Sequence, residues 1–428
     1  MKRLLLIASF SFAFFSVSGQ QSVSIEQCYG WAEENYPQIK RYGLINQAMQ
    51  YDLSNAAKAW LPQVALSAKA TYQSDVTKFP LDFSALPAPM NTLSVPTLSK
   101  DQYQVAAEVS QTIWDGGLTH SSRMITRAQA EADRKQTESD LYALKDRINQ
   151  LYFGCLLQDD LLAQNRLLQQ ELNNNLDRIS AMIQNGTANE SDKELLEVEL
   201  LNVRQRETEL NASRSAFLRM LAYFTGQSLP PDTELRKPAL PNGTLSMTIN
   251  RPELSALDAG LQVAEMRNKQ ITSGLMPRFG AFVQAGYGRP GLNMLEDSFN
   301  PFYIAGVRMS WNLGKLYTLK NDRRKVGIAR QQIDMAKETF LFNTQLQLIQ
   351  QDENVRKIDE LMRSDEEIVR LRSNVKKASE AKLENGVIAV SDLVRDIISE
   401  DMAKQSASIR RTQYIMAVYQ FMHITNEK

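Results

Sequence analysis

Residues 278–312 read RFGAFVQAGYGRPGLNMLEDSFNPFYIAGVRMSWN, two alternating runs joined by a segment rich in Gly, Pro and Asn. In the first run, apolar or small side chains recur at every second residue, at Phe279, Ala281, Val283, Ala285 and Tyr287. In the second run they recur at Tyr303, Ala305, Val307, Met309 and Trp311. Because alternate residues of a strand point to opposite faces, the stretch predicts an amphipathic β-hairpin at about 278–312.

A long stretch without proline, 315–385, follows the hairpin and carries apolar residues at seven-residue intervals. Sustained heptads predict a helix that supercoils against partners. At 1.5 Å per residue, about 70 residues span roughly 105 Å. Asn385-Gly386 is a usual helix end, and a returning helix at about 391–426 follows, with Ser391 as its predicted N-cap.

The same plan occurs earlier in the chain, with matching landmarks in the same order. Trp114-Asp115 corresponds to Trp311-Asn312, Asn185-Gly186 to Asn385-Gly386, and Ser191-Asp192 to Ser391-Asp392. Landmarks that recur in one order indicate an internal repeat. We therefore predict a first structural repeat at 20–226 and a second at 250–428, joined by a Pro-rich linker at 227–249.

The first repeat divides into the same elements as the second. It contains a helix over Pro37–Leu61 that stops at Pro62, a hairpin at about 63–114, a long helix at about 117–185 and a returning helix at about 191–226. Proline ends the first helix because it lacks the backbone N–H and clashes with the preceding turn. Ser191 is the predicted N-cap of the returning helix.

The N-terminus has the composition of a secretory signal peptide. Lys2 and Arg3 precede the apolar run Leu4–Phe15, and small residues follow. We predict a signal peptide at 1–19 and an exported mature protein.

The overall composition argues against several classes of function. The 49 basic and 49 acidic side chains balance to a formal charge of zero, whereas nucleic-acid binders usually carry a basic excess. Two Cys and two His residues are too few for a disulfide framework and make a structural zinc site improbable. Cys155 lies on the apolar heptad, while Cys28 is either free or paired. We expect no catalytic, cofactor or metal site, and hence no enzyme.

Four alternating runs of 9–11 residues have the length of membrane-crossing strands. Aromatic residues near the strand ends suit the two membrane interfaces, at Tyr72, Trp114, Tyr287 and Trp311. Four strands cannot close a barrel, for which about eight is the practical minimum, so several chains would each contribute four. A soluble β-sandwich is the alternative interpretation.

The order of helix, Pro, hairpin, long helix, Gly turn, Ser-Asp and returning helix, present twice, resembles the TolC-like outer-membrane efflux protein family. The resemblance implies an α+β membrane protein that forms a homotrimer. Its twelve-stranded β-barrel would lie in the outer membrane of a Gram-negative bacterium, in contact with outer membrane lipid. A long α-helical coiled-coil barrel would continue from it into the periplasm.

The resemblance also implies a function and partners. The chain would be the exit duct of a tripartite efflux system, passively conducting small molecules exported by an inner-membrane efflux pump through a periplasmic adaptor (membrane fusion) protein. Nucleic acid is not an expected partner. The alternatives are an exit duct for type I protein secretion and a non-conducting trimeric surface stalk.

Family members use the turns at the far ends of the long helices to meet the adaptor. The matching positions in this chain are Gly186, Thr187, Ala188, Gly386, Val387 and Ile388. The alternative for both glycines is plain helix C-capping. An Asn precedes each Gly where an apolar residue is common in the family, which leaves the choice of adaptor open.

Asp392 matches the position where family members often place a carboxylate at the constricted inner mouth of the pore. Arg395 lies one helical turn further on, where it could pair with Asp392 or Asp396. Asp192 is the counterpart of Asp392 in the first repeat. The alternative for both aspartates is an acidic residue favoured by the dipole at a helix N-terminus.

Overall fold

A computed structural model describes residues 22–77, 97–240 and 246–426, and the predicted signal peptide at 1–19 lies outside them. Within these residues the chain forms seven α-helices and four β-strands. The helices are α1 (Ile25–Asn35), α2 (Arg41–Lys58), α3 (Leu118–Gln184), α4 (Glu190–Thr225), α5 (Pro252–Ser273), α6 (Lys315–Glu384) and α7 (Val390–Thr425). The strands are β1 (Gln63–Tyr72), β2 (Asp101–Trp114), β3 (Arg278–Arg289) and β4 (Asn300–Ser310). No helix in the described ranges is long and apolar enough to cross a membrane.

The chain divides into two compact units. The helical unit comprises the described parts of Met1–Lys40, Thr137–Pro252 and Thr339–Lys428. The sheet unit comprises Arg41–Gln136 and Glu253–Glu338, again where described. The two long helices, α3 with 67 residues and α6 with 70, each contribute residues to both units.

The sheet unit contains one antiparallel sheet with strand order β1-β2-β3-β4. The prediction of four antiparallel strands is thereby confirmed. Val64 pairs with Val109, and Val109 pairs with Val283, so the alternating apolar sets of neighbouring strands share one face. β1 and β4 are the edges, and each leaves one side of its backbone without a partner strand among the described residues.

The predicted helix at Pro37–Leu61 begins as a different helix type and ends earlier than expected. Pro37–Lys40 forms one turn of 3₁₀-helix, and α2 continues from Arg41 to Lys58. Tyr36, which separates this stretch from α1, is extended, with φ −64° and ψ 127°, as expected of a residue before proline, for which the helical region is disfavoured.

A buried cluster in the helical unit joins α1 to α3, α4 and α7. Its largest fully buried side chains are Tyr152, Phe153, Ile148, Ile25 and Leu221. Cys28 and Cys155 both belong to this cluster, and both are free thiols. Burial raises the pKa of each thiol to about 12, which keeps both protonated and unreactive.

The predicted linker is held against the N-terminal segment. Val23 and Leu235 form a parallel β-bridge, in which the Val23 N–H donates to Glu234 O at 3.0 Å and the Arg236 N–H to Val23 O at 2.9 Å. The described part of the linker therefore has defined backbone partners.

Arg214 of α4 also binds the linker. Its guanidinium donates to the backbone carbonyl of Thr233 at 2.8 Å and to that of Pro231, and it forms an ion pair with Asp159 of α3. The Arg214 side chain is only 15% exposed. Because the planar guanidinium satisfies three acceptors at once, this residue ties α3, α4 and the linker together.

Charged side chains are buried between α3, α6 and α7. Lys376 lies between Glu171 and Glu400, at 2.6 and 2.8 Å from their carboxylate oxygens, and Lys404 is 2.9 Å from Glu400. Burial alone would raise the pKa of Glu400, but its lysine partners and a hydrogen bond from the Ser373 hydroxyl outweigh burial and hold the pKa at about 2. Glu400 therefore stays ionised within the packed helices.

The pKa of Asp401, the next residue, is shifted in the opposite direction. Burial of its carboxylate raises the pKa to about 6, although the Gln405 amide donates to it and Arg206 and Lys404 are nearby. The two adjacent carboxyl groups thus differ in pKa, because only Glu400 has direct lysine partners.

Replacing Arg214 with Ala is expected to lower the free energy of unfolding by about 2–4 kcal/mol, because a charged residue and two carbonyls lose their partners. Amide exchange within residues 228–240 should accelerate, which mass spectrometry of the intact protein measures. The matched control is Arg204→Ala, an exposed arginine on the same helix, which should change stability by less than about 0.5 kcal/mol. Unchanged exchange in the Arg214 variant would show that the contacts do not hold the linker.

Asp401→Asn is expected to stabilise the protein at neutral pH. Because the folded-state pKa is raised from 3.8 to about 6, folded protein retains a proton that unfolded protein has lost, and stability falls as pH rises through that window. The variant should gain about 1–3 kcal/mol at pH 7.5 and almost nothing below pH about 4. Thermal unfolding followed by circular dichroism at both pH values measures this.

Glu400→Gln is the adjacent control and should behave in the opposite way. Its folded-state pKa is depressed, so its contribution is present above about 4.5 and is lost as pH falls toward about 2. The Gln variant should be destabilised at pH 7.5, because Lys376 loses a buried partner. If Asp401→Asn destabilised the protein at pH 7.5 as much as Glu400→Gln does, the raised pKa of Asp401 would be contradicted.

Candidate functional site

The turn between α3 and α4, which we call tip 1, spans residues 185–189. Gly186 has φ +74°, a left-handed conformation that glycine adopts without steric cost. The Gly186 N–H donates to Ile183 O at 3.0 Å and the Thr187 N–H to Met182 O at 2.9 Å. These two bonds form a Schellman motif, which satisfies the last carbonyls of α3.

The turn between α6 and α7, tip 2, spans residues 385–389 and has the same geometry. Gly386 has φ +68°, its N–H donates to Leu383 O at 3.0 Å, and the Val387 N–H donates to Lys382 O at 2.9 Å. Val387 is 68% exposed. Two turns of one geometry therefore end the two long helices.

The helices that leave the tips have their N-caps two residues earlier than predicted. Their N-caps are Asn189 and Ala389, not Ser191 and Ser391. At tip 1 the carboxylate of Asp192 accepts a hydrogen bond from the Asn189 backbone N–H at 3.1 Å, which stabilises an earlier start. Asp192 is therefore an N-terminal capping acid.

Asp392 occupies the equivalent third position of α7 and forms an ion pair with Arg395 at 2.9 Å. Both side chains are accessible, Asp392 at 40% and Arg395 at 70%. Asp396 instead accepts a hydrogen bond from the Ser379 hydroxyl at 2.6 Å. Of the two partners that the sequence leaves open for Arg395, the structure selects Asp392.

A cleft of about 610 Å³ separates the two tips within the helical unit. The predicted tip residues that line it are Thr187, Ala188, Gly386 and Ile388, together with Asp192 from the predicted mouth set. Gly186, Val387, Asp392 and Arg395 are not among its lining residues. The structure thus brings residues of both tips to one surface.

An ion pair that the sequence did not predict spans this cleft. Arg178 of α3 is 2.7 Å from the carboxylate of Glu384, the last residue of α6. Beneath it, apolar side chains of all four helices form one cluster, which includes Leu172, Leu196, Leu383 and Leu393. The ion pair and the cluster hold the two tips in a fixed relation. Heptad periodicity could have identified the cluster, but no local pattern pairs Arg178 with Glu384.

The sheet unit carries a second candidate surface, the apolar face of its sheet. Its exposed large side chains are Val64, Leu66, Val105, Val109, Val283, Val307 and Met309, and the strand pairing places them on one face. The charged strand residues on this face are Asp101 and Arg289, which form an ion pair with each other at one end. An exposed apolar surface of this extent marks a site of contact with another apolar phase or protein.

Aromatic residues form a row at each end of this face. Tyr72 and Tyr287 lie at the end where β1 and β3 finish, and sequence analysis missed Tyr103 and Tyr303, which lie beside them. Trp114 and Trp311 lie at the opposite end. The rows are about eight residues apart along β3, roughly 27 Å at 3.4 Å per residue.

Trp114 reaches this face through a β-bulge. Simple alternation would place it with Thr112 on the polar face, but the register shifts between the two residues. Trp114 therefore pairs with Phe279, and the ring centroids are 5.9 Å apart. A bulge redirects a side chain by adding one residue to a strand.

Neither surface resembles a metal centre. No group of three or more His, Cys, Asp or Glu side chains in the described part of the chain is arranged to hold a metal ion.

No protein-family model and no curated protein matches the sequence of this chain. Solved structures match its fold along nearly the whole length. The outer membrane protein VceC of Vibrio cholerae is 13% identical, with a TM-score of 0.65 over 94% of this chain and 95% of that chain. The CmeC outer membrane channel of Campylobacter jejuni is 11% identical, with a TM-score of 0.65 over 94% of this chain and 85% of that one.

The MtrE outer membrane channel of Neisseria gonorrhoeae, solved in its open state, is 14% identical. Its TM-score is 0.63 over 93% of this chain and 88% of that one. The fold is thus shared along nearly the whole length of the chain at low sequence identity. The chain has the TolC-like fold of these outer-membrane channels.

Proposed function

We propose that this protein is the outer-membrane exit duct of a tripartite efflux system. The observation that carries the proposal is the apolar face of the sheet. Asp101 and Arg289, the charged residues on this face within the described strands, pair with each other at one end. Aromatic rows bound the face about 27 Å apart along the strands; at a strand tilt of about 40° this is roughly 21 Å of height, comparable with the apolar band of about 25 Å in membrane barrels.

The free edges of the sheet support a homotrimer. A strand edge exposed to hydrocarbon would leave unpaired N–H and C=O groups at a cost of several kcal/mol each. Because the strand order is β1-β2-β3-β4 and all pairs are antiparallel, β4 of one copy can pair antiparallel with β1 of the next. Three copies would close a twelve-stranded barrel, wide enough for a passage where eight strands would be filled by side chains.

The long helices supply the remainder of the proposed duct. Each chain contributes two helical hairpins, α3–α4 and α6–α7, so three chains would contribute twelve helical segments to a coiled-coil barrel in the periplasm. The fold likeness to outer membrane channels supports this arrangement. In it, the inner-membrane pump would deliver small molecules through an adaptor to the helical end of the duct.

The tips are the proposed contact with the periplasmic adaptor. Each tip is a rigid Schellman turn, and tip 2 presents the exposed apolar side chain of Val387. The cleft between the tips offers a concave surface lined by both repeats. A tip-to-tip contact with the adaptor would use Gly186, Thr187, Ala188, Gly386, Val387 and Ile388.

Asp392, Arg395 and Asp192 are the proposed residues of the inner mouth. Asp392 and Arg395 form an exposed pair, which would balance the charge that three aspartates alone would place around the axis. Asp192 would contribute a carboxylate that also caps α4. The inner mouth would therefore carry less net negative charge than its number of aspartates implies.

Deleting the gene is expected to raise retention of a fluorescent hydrophobic dye in the source cells. Restoring the gene on a plasmid should return retention to the original level, because the duct completes the route out of the cell. Equal retention in deleted and restored cells would contradict small-molecule efflux. It would leave protein secretion or a structural stalk as the role of the same fold.

Replacing Gly386 with Val is expected to weaken adaptor docking. A β-branched residue at φ +68° costs roughly 1–2 kcal/mol, so the turn should rearrange. No atom lies within 4 Å of the position a Cβ would occupy, and strain rather than a clash is therefore the cause. We expect crosslinking between tip 2 and the adaptor to fall several-fold while the trimer persists.

Two control variants separate turn geometry from the loss of a glycine. Gly386→Asn should retain crosslinking, because Asn tolerates the left-handed conformation. Gly327 lies within α6, and no atom is within 4 Å of the position that its Cβ would occupy. Gly327→Ala should therefore leave crosslinking to the adaptor unchanged. Normal crosslinking by the Val variant would show that adaptor docking does not depend on the conformation of tip 2.

A further inference from the structure

The polar face of the sheet has an unequal distribution of charge. The residues on this face alternate along each strand with those of the apolar face. They are mainly Gln, Ser, Thr, Gly and Ala. The charged strand residues among them are Lys69, Glu108, Arg278 and Arg308. Three basic side chains against one acidic side chain leave this face with an excess of two positive charges per chain.

Glu108 compensates only one of these cations. Its carboxylate is 3.4 Å from the Arg308 guanidinium, which also lies over the Phe282 ring at 4.5 Å from the centroid. Lys69 and Arg278 have no ion-pair partner among the described residues. The uncompensated charge therefore comes from positions near both ends of the sheet.

Arg278 and Arg308 face a common cavity. It has a volume of about 310 Å³ and is lined by Phe282, Ser110 and Asp115 besides the two arginines. Asp115 is committed to the start of α3, since its carboxylate accepts hydrogen bonds from the backbone N–H groups of Thr119 and Gly117 at 2.6 and 2.9 Å. The cavity thus combines two guanidinium groups with one carboxylate, an aromatic ring and hydroxyl groups.

We infer that the lumen of the duct selects small organic anions over cations of similar size. The inference rests on the proposed function, because the polar face lines a lumen only in the closed barrel. With the Asp115 carboxylate counted in each copy, three copies would place a net excess of three positive charges around one water-filled passage. At 0.1 M salt such charges act over about 10 Å, so anions would be concentrated and cations excluded along the wall.

The test uses the purified full-length protein in planar lipid bilayers, with a gradient of potassium chloride and, separately, of potassium benzoate. The reversal potential in each salt reports the permeability of the anion relative to potassium. Lys69→Gln and Arg278→Gln should each lower the anion preference by about twofold or more in both salts, since each removes three charges per trimer. Glu108→Gln should raise it, because Arg308 loses its partner.

Arg289→Gln is the matched control. It removes an arginine from the same strand as Arg278, but from the apolar face, and should leave both permeability ratios unchanged. The trimer of every variant is verified on a non-denaturing gel. Because the comparison is between variants, charge at the helix tips is common to all of them.

The possible failures are distinguishable. Absence of conductance in wild-type protein would overturn the proposed function and with it this inference. If the wild-type protein conducts but Lys69→Gln and Arg278→Gln leave its anion-to-potassium permeability ratios unchanged, this inference alone would be overturned. A shift in chloride without a shift in benzoate would overturn the assignment to organic anions.

Discussion

Unpaired backbone groups are the constraint on which the proposed assembly depends. β1 and β4 each present one row of N–H and C=O groups without a partner strand in the part of the chain that the structure describes, and hydrocarbon offers no water to replace that partner. In the proposed assembly the apolar face would contact lipid, where the free edges of a single copy would be unfavourable. Pairing of β4 with β1 of a neighbouring copy would satisfy these edges, and the proposed lumen and its charge depend on that closure.

The helical unit meets a different requirement, because helices of 67 and 70 residues depend on packing rather than on their own backbone. Apolar clusters provide most of this packing, at Leu172 and Leu393 near the tips and at Tyr152 and Phe153 near α1. Buried charges add specificity between the helices. Lys376 fixes α3 and α7 against α6 through two carboxylates, and Arg214 fixes the linker against α3 and α4.

Several features of the site follow from short stretches of sequence, and others do not. The Asn-Gly turns end helices because glycine adopts a positive φ, so the end of each long helix can be read from two adjacent residues. Ser191 was a wrong prediction for the N-cap, since Asp192 reaches back to Asn189 and starts the helix earlier. Trp114 moves to the apolar face only because of a bulge whose position depends on the partner strand.

Period-two and period-seven patterns, together with Pro and Gly breaks, were sufficient to predict four antiparallel strands and long helices, and the resemblance of their order to the TolC-like family supplied the fold. These patterns work because they reflect the geometry of one strand or one helix, which neighbouring residues decide. Tertiary structure alone decided that Arg178 meets Glu384, that Arg214 holds the linker and that Glu400 and Asp401 differ in pKa. Each of these depends on which side chains of distant segments come within a few ångströms, and no local repeat encodes that distance.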